Sequence, residues 1–446
     1  MFATASIGLF DKVYIDGSYR VEWAQAFQQF TQNSGYKSFD YYSVGANVLV
    51  HKFLPESTRD WLDQLKWRGS YSVVGNPIPN QLFARQSIDF GTGVVGARPP
   101  LFENPQPETT TSFETGLDVW MFNNSFNFDV TYYNSTLKNQ FMNVTTANGE
   151  SRPVNTGKIR NYGVEFSAGY RWAINRDWTW QSNFNFAWND NKILETYDPG
   201  DNREYTVEMG NNAFKIKYIK DKKYGDIYVN SIERDANGYY KMTSNNPLTA
   251  RPTMQSDYST YVGNTTSPYT LGWNNTISWK NLTLYFLIDG RIGGKVMSLT
   301  EAEMDLYGLS QRSADARLAA ENNPELQAYD ESGKMVPLMY LPDGSGRKIS
   351  VENYYTTIGM APTEEHVYNA TSFRMRDISL SYLFPDLLGK GKGLTAQFSV
   401  KNAFFIYKDA PVDPDISLSA ANGLSGIDCY GLPTLRSYAI TLKLNF

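Results

Sequence analysis

A chain of 446 residues with 15% aromatic and 41% hydrophobic residues and a net charge of −5 suits a large soluble β protein or an outer-membrane barrel. It excludes a helical membrane protein, since no apolar run approaches the roughly 18 residues that a spanning helix needs, and the acidic balance removes the basic stripe of a nucleic-acid binder. One cysteine, Cys429, and two histidines, His51 and His366, supply neither an intramolecular disulfide nor a Cys/His zinc cage.

Met1 to Phe10 contains no basic stretch, long apolar segment or small-residue cleavage site, and reads as strand from Phe2 onward. An export signal is therefore expected elsewhere, on a longer precursor. Val13, Ile15, Tyr19, Val21 and Trp23 alternate with Asp16, Ser18, Arg20 and Glu22. The same period recurs at Phe126, Phe128, Val130 and Tyr132, and from Trp178 to Asn189, where Trp178, Trp180, Phe184, Phe186 and Trp188 share one side. It returns at Leu282, Leu284, Phe286 and Ile288, and at Leu394, Ala396, Phe398 and Val400. In the terminal strand Tyr438, Ile440, Leu442, Leu444 and Phe446 oppose Ala439, Thr441, Lys443 and Asn445. Successive side chains leave opposite sides of a strand, so each segment has one oily and one wet face. The lengths suit the roughly 9 to 11 residues of a tilted transmembrane strand.

Asp11-Lys12, Asn123-Asn124, Asn175-Arg176-Asp177 and Lys280-Asn281 predict tight turns. Between them lie long excursions at 75–110, 197–268, 291–371 and 404–436. Connections of roughly 70 and 80 residues are foreign to a compact domain, whereas a barrel in the outer membrane carries short turns on one side and long loops on the other. The pattern gives about 13 strands, an odd number where single-chain bacterial barrels have an even one. The expected fold is all-β, an antiparallel transmembrane β-barrel of which residues 1–446 are the C-terminal part. Standing alone, the first strand would leave an unpaired edge in lipid, at a cost of several kcal/mol per backbone group. The alternative is a soluble β-sandwich, which would have to bury the tryptophan row that a barrel places at the lipid interface.

Gly91-Thr-Gly93-Val-Val-Gly96 matches a dinucleotide-binding string, but Arg98-Pro99-Pro100 follows at once and prevents the required helix. Asp198, Asp201 and Glu204, and likewise Asp409, Asp413 and Asp415, lack calcium-loop spacing and read as solvated loop charge, with a weak cation site as the lesser reading. Neither His51 nor His366 lies near a nucleophile motif, and both read as ordinary polar positions. A carboxylate pair for glycoside hydrolysis is not excluded by composition, yet no residue is singled out as catalytic. No metal ligand set and no cofactor are expected. After Gly293-Gly294 the sequence to Gly308 predicts a helix, with Ser298 or Thr300 as its cap.

Several strings in order resemble the SusC/RagA family of TonB-dependent outer-membrane transporters of Bacteroidetes. They are Thr111 to Asp118, Asn161 to Glu165, Gly293 to Arg317 with Asp305 to Ser310 and Ala314 to Arg317, Phe373 to Tyr382, Val400 to Phe404, Asp413-Pro-Asp415, Gly426 to Asp428 and the terminal strand. The resemblance implies a plugged barrel of about 22 strands that imports oligosaccharides or peptides with energy passed through TonB. It also implies a surface lipoprotein of the SusD type as a lid on the loops. Relative to that pattern the chain lacks a signal peptide, a TonB box, the plug and about nine strands. Asn402-Ala403-Phe404 and Gly431-Leu-Pro433 are minor departures from the family's wording. In this architecture inward Asn, Gln, Thr and Asp residues give hydrogen-bonding walls. Tyr407 and Tyr430, as loop aromatics, would stack on sugar rings or peptide side chains, with Asp413 and Asp415 beside them as substrate ligands. Competing functions are a passive porin and a soluble carbohydrate-binding β protein.

Overall fold

The computed structural model describes residues 1–23, 38–76, 86–88, 95–97, 106–145, 151–196, 207–210, 213–387, 389–390, 392–415, 418 and 425–445. Thirteen strands pair in chain order into one sheet. They are β1 (Phe2–Leu9), β2 (Val13–Trp23), β3 (Ser38–Leu49), β4 (Leu62–Asn76), β5 (Glu108–Met121), β6 (Phe126–Thr145) and β7 (Ser151–Ala173). The sheet continues through β8 (Trp178–Glu195), β9 (Tyr269–Trp279), β10 (Leu282–Ile292), β11 (Ser372–Phe384), β12 (Gly393–Lys408) and β13 (Ser437–Asn445). Every neighbouring pair is antiparallel, and β1 and β13 stand at the two edges.

Register sorts the side chains into two faces. Trp180 lies opposite Trp172 and Ile277, Phe186 opposite Phe166 and Leu271, and Phe398 opposite Leu380 and Ile440. The rings meet across strands, with Trp178 stacked on Trp279 at 5.6 Å and Phe398 on Tyr438 at 6.5 Å. This oily face is open: Ile440 is 77% exposed and Leu442 64%. The opposite face carries the polar alternates, among them Asp129, Ser167, Asn185 and Asp289.

At one end the connections are short. Phe10 and Asp11 turn with φ near 54° and 52°, the left-handed pair that matches the twist of a tight hairpin. Lys280-Asn281 alone join β9 to β10, since Trp279 already faces Leu282. Asn175 Oδ1 accepts from the backbone N–H groups of Asp177 and Trp178, closing the turn between β7 and β8. The β3–β4 connection is filled by short 3-10 turns at Val50–Phe53 and Glu56–Asp60.

At the other end the excursions fold into a cap rather than remaining as loops. Between β8 and β9 runs a four-stranded sheet, and between β10 and β11 come helices α1 (Leu299–Leu306), α2 (Gln311–Glu321) and α3 (Val351–Met360). Ile159 and Ile193 from the ends of β7 and β8 share a buried core with Phe214, Ile216, Ile227, Met297 and Ile427. Tyr240, Ile349, Tyr354 and Ile358 form a second core. The length that made these segments suspicious is thus used to bury apolar side chains of their own.

Two expectations change. Phe404 to Lys408 continues β12, so Tyr407 is a strand residue and not a loop aromatic. Both ends of Lys295–Ser298 pair in the cap, antiparallel to Val367–Asn369 and parallel to Ile427–Asp428, so the glycines before it open a strand as well as a helix. Gly91, Gly93, Asp198, Asp201, Glu204 and Phe446 lie outside the described residues.

Candidate functional site

The polar face is organised by charge. On β4, Arg68 crosses β5 to reach Asp129 on β6, with Nη1 to Oδ2 at 2.5 Å and Nη2 to Oδ1 at 2.8 Å. Gly116 makes the crossing possible. A Cβ there would stand 3.2 Å from Arg68 Nε and 2.8 Å from the Val130 carbonyl oxygen. Next to this pair a cavity of about 340 Å³ opens among Asp129, Glu165, Asn185, Thr270, Asp289 and Arg291.

Beyond the cavity the charges concentrate. Asp289 and Arg291 come from β10, Arg374 and Arg376 from β11, and Asp413 and Asp415 from the excursion after β12. Arg376 Nε donates to Asp289 Oδ2 at 2.7 Å and its Nη2 to Asp415 Oδ2 at 2.7 Å. Arg291 pairs with Asp415 and donates from Nη1 to the Pro414 carbonyl at 3.2 Å. Arg374 is 3% exposed, pairs with Asp413, and lies over the Phe405 ring at 4.0 Å. Asp413 in turn accepts from the Asp415 backbone N–H at 3.0 Å. Burial pushes the Asp413 carboxyl up, but the Thr434 hydroxyl, the Asp415 N–H and Arg374 outweigh it and hold it below the usual carboxylate range.

The bulge on β11 is what brings Arg376 in. Met375 faces Ile288 whereas Asp377 faces Leu287, which leaves Arg376 as an extra residue against β10; on the other side Met375 faces Phe404 and Asp377 faces Lys401, so Arg376 stands against both Asn402 and Ala403 of β12. Without it the alternation from Ile378 and Leu380 would send Arg376 to the oily face. Arg376 Nη1 then reaches Asn402 Oδ1 at 3.2 Å, where Asn402 turns through φ of 50° in the matching irregularity of β12.

The cap holds a second polar cluster. Ser298 caps α1 by accepting from the Glu301 N–H at 3.0 Å and donates to Asp428 at 2.7 Å, so of the two expected caps it is Ser298 that serves. Asp305 on α1 receives Arg312 Nε from α2 at 3.1 Å and His366 Nε2 at 2.9 Å. His366 Nδ1 accepts from the Thr363 N–H at 3.2 Å, so Nε2 carries the hydrogen given to Asp305. Burial works against the Asp305 charge, yet His366 and Arg312 prevail and hold its carboxyl below the ordinary value. Arg312 is raised in turn, because Asp305 overcomes its burial. His366 is therefore not an ordinary polar position but a fully buried tie between helices.

Of the residues singled out from sequence, Asp413 and Asp415 meet in one cluster, clasped by arginines rather than solvated. Tyr430 sits elsewhere, against α1, its hydroxyl donating to Glu303 at 3.0 Å and its N–H to Thr300 Oγ1 at 2.9 Å. Tyr407 is half exposed opposite Phe373. Tyr438, Ile440, Leu442 and Leu444 stand on the exposed oily face as expected. Arg68, Asp129, Asp289, Arg291, Arg374 and Arg376 were not singled out. For Arg68, Asp129, Asp289 and Arg291 the only signal was a charged residue at an inward position of an alternating strand; Arg374 and Arg376 gave none, because the alternation from Ile378 and Leu380 puts them on the oily face until the bulge reverses it. Among the described residues no group of three or more His, Cys, Asp or Glu side chains is placed to hold a metal ion.

A sequence profile described as "TonB dependent receptor-like, beta-barrel" matches residues 1–289. The protein "TonB-dependent receptor P3" of Formosa agariphila is 24% identical over 458 residues, covering 94% of this chain and 42% of that protein. "TonB-dependent receptor SusC" of Bacteroides thetaiotaomicron is 24% identical over 451 residues, covering 94% of this chain and 41% of its own length. A solved structure of the RagAB peptide transporter superposes with a TM-score of 0.71 at 19% identity, over 100% of this chain and 47% of that one. The chain spans less than half the length of these relatives.

Proposed function

This chain belongs to the TonB dependent receptor-like β-barrel family, and on that premise we propose that it forms wall and cap of an importer energised through TonB. It is an outer-membrane β-barrel chain. The observation that carries the reading is the two-sidedness of a single sheet of thirteen strands. Large apolar side chains stand exposed along one face while ion pairs line the other. An exposed apolar surface of that extent is satisfied by hydrocarbon, and the charged face by a wet interior.

In this reading the thirteen strands are the C-terminal part of a barrel of about 22, closed inside by a plug. The cargo is an oligosaccharide or a peptide, held by the hydrogen-bonding polar face. A SusD-like lipoprotein covers the cap. Tyr430, 60% exposed, offers a ring face for stacking, and Asp413 and Asp415 act within their arginine cluster, whereas Tyr407 registers through Phe373 and Gly290 with Leu271 of the oily face.

The test uses the complete gene in its own bacterium. Uptake of labelled oligosaccharides and labelled peptides is measured in the wild type, in a deletion of this gene and in a strain without TonB. Uptake lost in both mutants supports the proposal. Uptake that survives the loss of TonB indicates a passive pore and overturns it, as does recovery of the protein in the soluble fraction without detergent.

A further inference from the structure

Asp415 is held as a ligand is held. Its Oδ2 takes Arg376 Nη2 at 2.7 Å and lies 3.3 Å from Arg374 Nη1, and its Oδ1 takes Arg291 Nη2. Three guanidiniums from two adjacent strands thus converge on one carboxylate that belongs to neither strand. Flexible surface pairs do not assemble in this way, because each arginine here is also fixed by a second contact: Arg376 by Asp289, Arg374 by Asp413 and Phe405, Arg291 by the Pro414 carbonyl.

The fit is incomplete. Arg374 is 3% exposed, yet its Nε and Nη1 have no hydrogen-bond partner. The 3.3 Å approach of Nη1 to Asp415 is close enough for an ion pair but is not aligned for a hydrogen bond. A buried donor without an acceptor is unfavourable, and a guanidinium is best satisfied by a carboxylate that meets it with two parallel bonds. A carboxylate tethered through the Pro414 turn cannot reach that geometry at Arg374 while also serving Arg291 and Arg376. A free one carries no such tether, and the cavity lined by Asp289 and Arg291 lies beside the cluster.

We propose that Arg291, Arg374 and Arg376 constitute a carboxylate-binding site filled in cis by Asp415, and that a carboxylate-bearing guest exchanges with Asp415 and frees residues 409–415 from the wall. The charge count agrees. Three arginines face Asp289, Asp413 and Asp415, so withdrawing Asp415 leaves one positive charge in excess. The inference does not depend on import, and it holds whatever cargo the barrel carries. It identifies the shared chemistry of a peptide C-terminus and a sugar acid, a planar carboxylate on a small polar body.

The experiment is amide hydrogen exchange on the complete protein in detergent, in sodium acetate and in sodium chloride at equal ionic strength. In the wild type, segment 409–415 is expected to exchange about tenfold faster in acetate than in chloride, the equivalent of one charge-assisted hydrogen bond. Asp415→Asn keeps the shape without the charge and is expected to exchange fast in both salts. Asp415→Ala is expected to gain a saturable rise in melting temperature with acetate, lost again when Arg376→Gln is added. Equal wild-type exchange in the two salts overturns the proposal. So does slow exchange in Asp415→Asn, or an acetate response that survives Arg376→Gln. Galacturonic acid against galactose, and a dipeptide against its C-terminal amide, then separate the two sources of the carboxylate.

Discussion

The indole N–H of Trp180 on β8 donates to Asn275 Oδ1 on β9 at 2.9 Å, on the oily face of the sheet. Asn275 is 1% exposed, a carboxamide set among Ile277, Trp273 and Trp180. Its presence follows from the ring beside it. Hydrocarbon offers an indole N–H no acceptor, so the protein must supply one. The same solution recurs where Trp273 donates to Ser182 Oγ at 2.9 Å and Trp67 to Thr115 Oγ1 at 3.0 Å.

Trp180→Phe leaves the Asn275 carboxamide alone, and Asn275→Leu leaves the indole alone. Each is expected to destabilise the protein by about 1–3 kcal/mol. The double variant removes both polar groups and should lose distinctly less than the sum. Denaturant unfolding in lipid vesicles measures all three. Additive losses would mean that the bond contributes nothing.

The terminal strand tests which face meets lipid. Ile440 and Thr441 are sequence neighbours on opposite faces of β13. Ile440→Arg should cost about 2–4 kcal/mol if it lies near the bilayer midplane, and Thr441→Arg far less. Comparing the fractions folded into vesicles, by the mobility of unheated samples, gives the answer. Equal tolerance at the two positions would contradict the assignment of faces.

How much of this was legible differs by residue. The run from Trp178 to Trp188 alternates at every position but Ser182, and there the sequence displays its own faces, because the period of a strand is a local property. Arg376 was not legible. The bulge that turns it inward is created by pairing with two other strands, and one inserted residue reverses every parity beyond it. Asp415 looked solvated because its partners stand far along the chain, Arg291 being 124 residues away. His366 was hidden for the same reason, with Asp305 61 residues distant. The cap's cores were obscured by length alone, since 3-10 turns, short strands and helices carry no sustained period.

Gly116 tests whether the inner charges need the glycine between them. A methyl group added there would meet the Val130 carbonyl oxygen and Arg68 Nε. Gly116→Ala is expected to displace Arg68 from Asp129 and to cost about 1–3 kcal/mol by overpacking. Arg68→Met combined with Gly116→Ala should recover part of that loss, because the displaced guanidinium is gone. Unfolding midpoints in detergent decide it, and an unchanged midpoint in Gly116→Ala would show that the ion pair tolerates the shift.

Acid should loosen the cap before the wall. Asp343 is held at about 2: burial opposes its charge, but the Ser345 hydroxyl and N–H, the Tyr240 N–H and Arg347 prevail. Asp305 is likewise depressed, with His366 and Arg312 outweighing burial. A carboxylate whose folded value lies below its unfolded one stabilises the fold fully above the unfolded value, near 3.8, and that contribution fades as pH falls toward the folded value. For Asp343 the window therefore runs from the ordinary carboxylate value down to about 2, and the cap should open within it while the sheet strands persist. Hydrogen exchange of segments 232–254 and 336–350, corrected for the intrinsic rate at each pH, follows the opening. Asp343→Asn should remove most of the pH dependence in these segments and leave that of α1 and α2, which rests on Asp305. Protection that stays constant through the window in the wild type would show that these carboxylates do not hold the cap together.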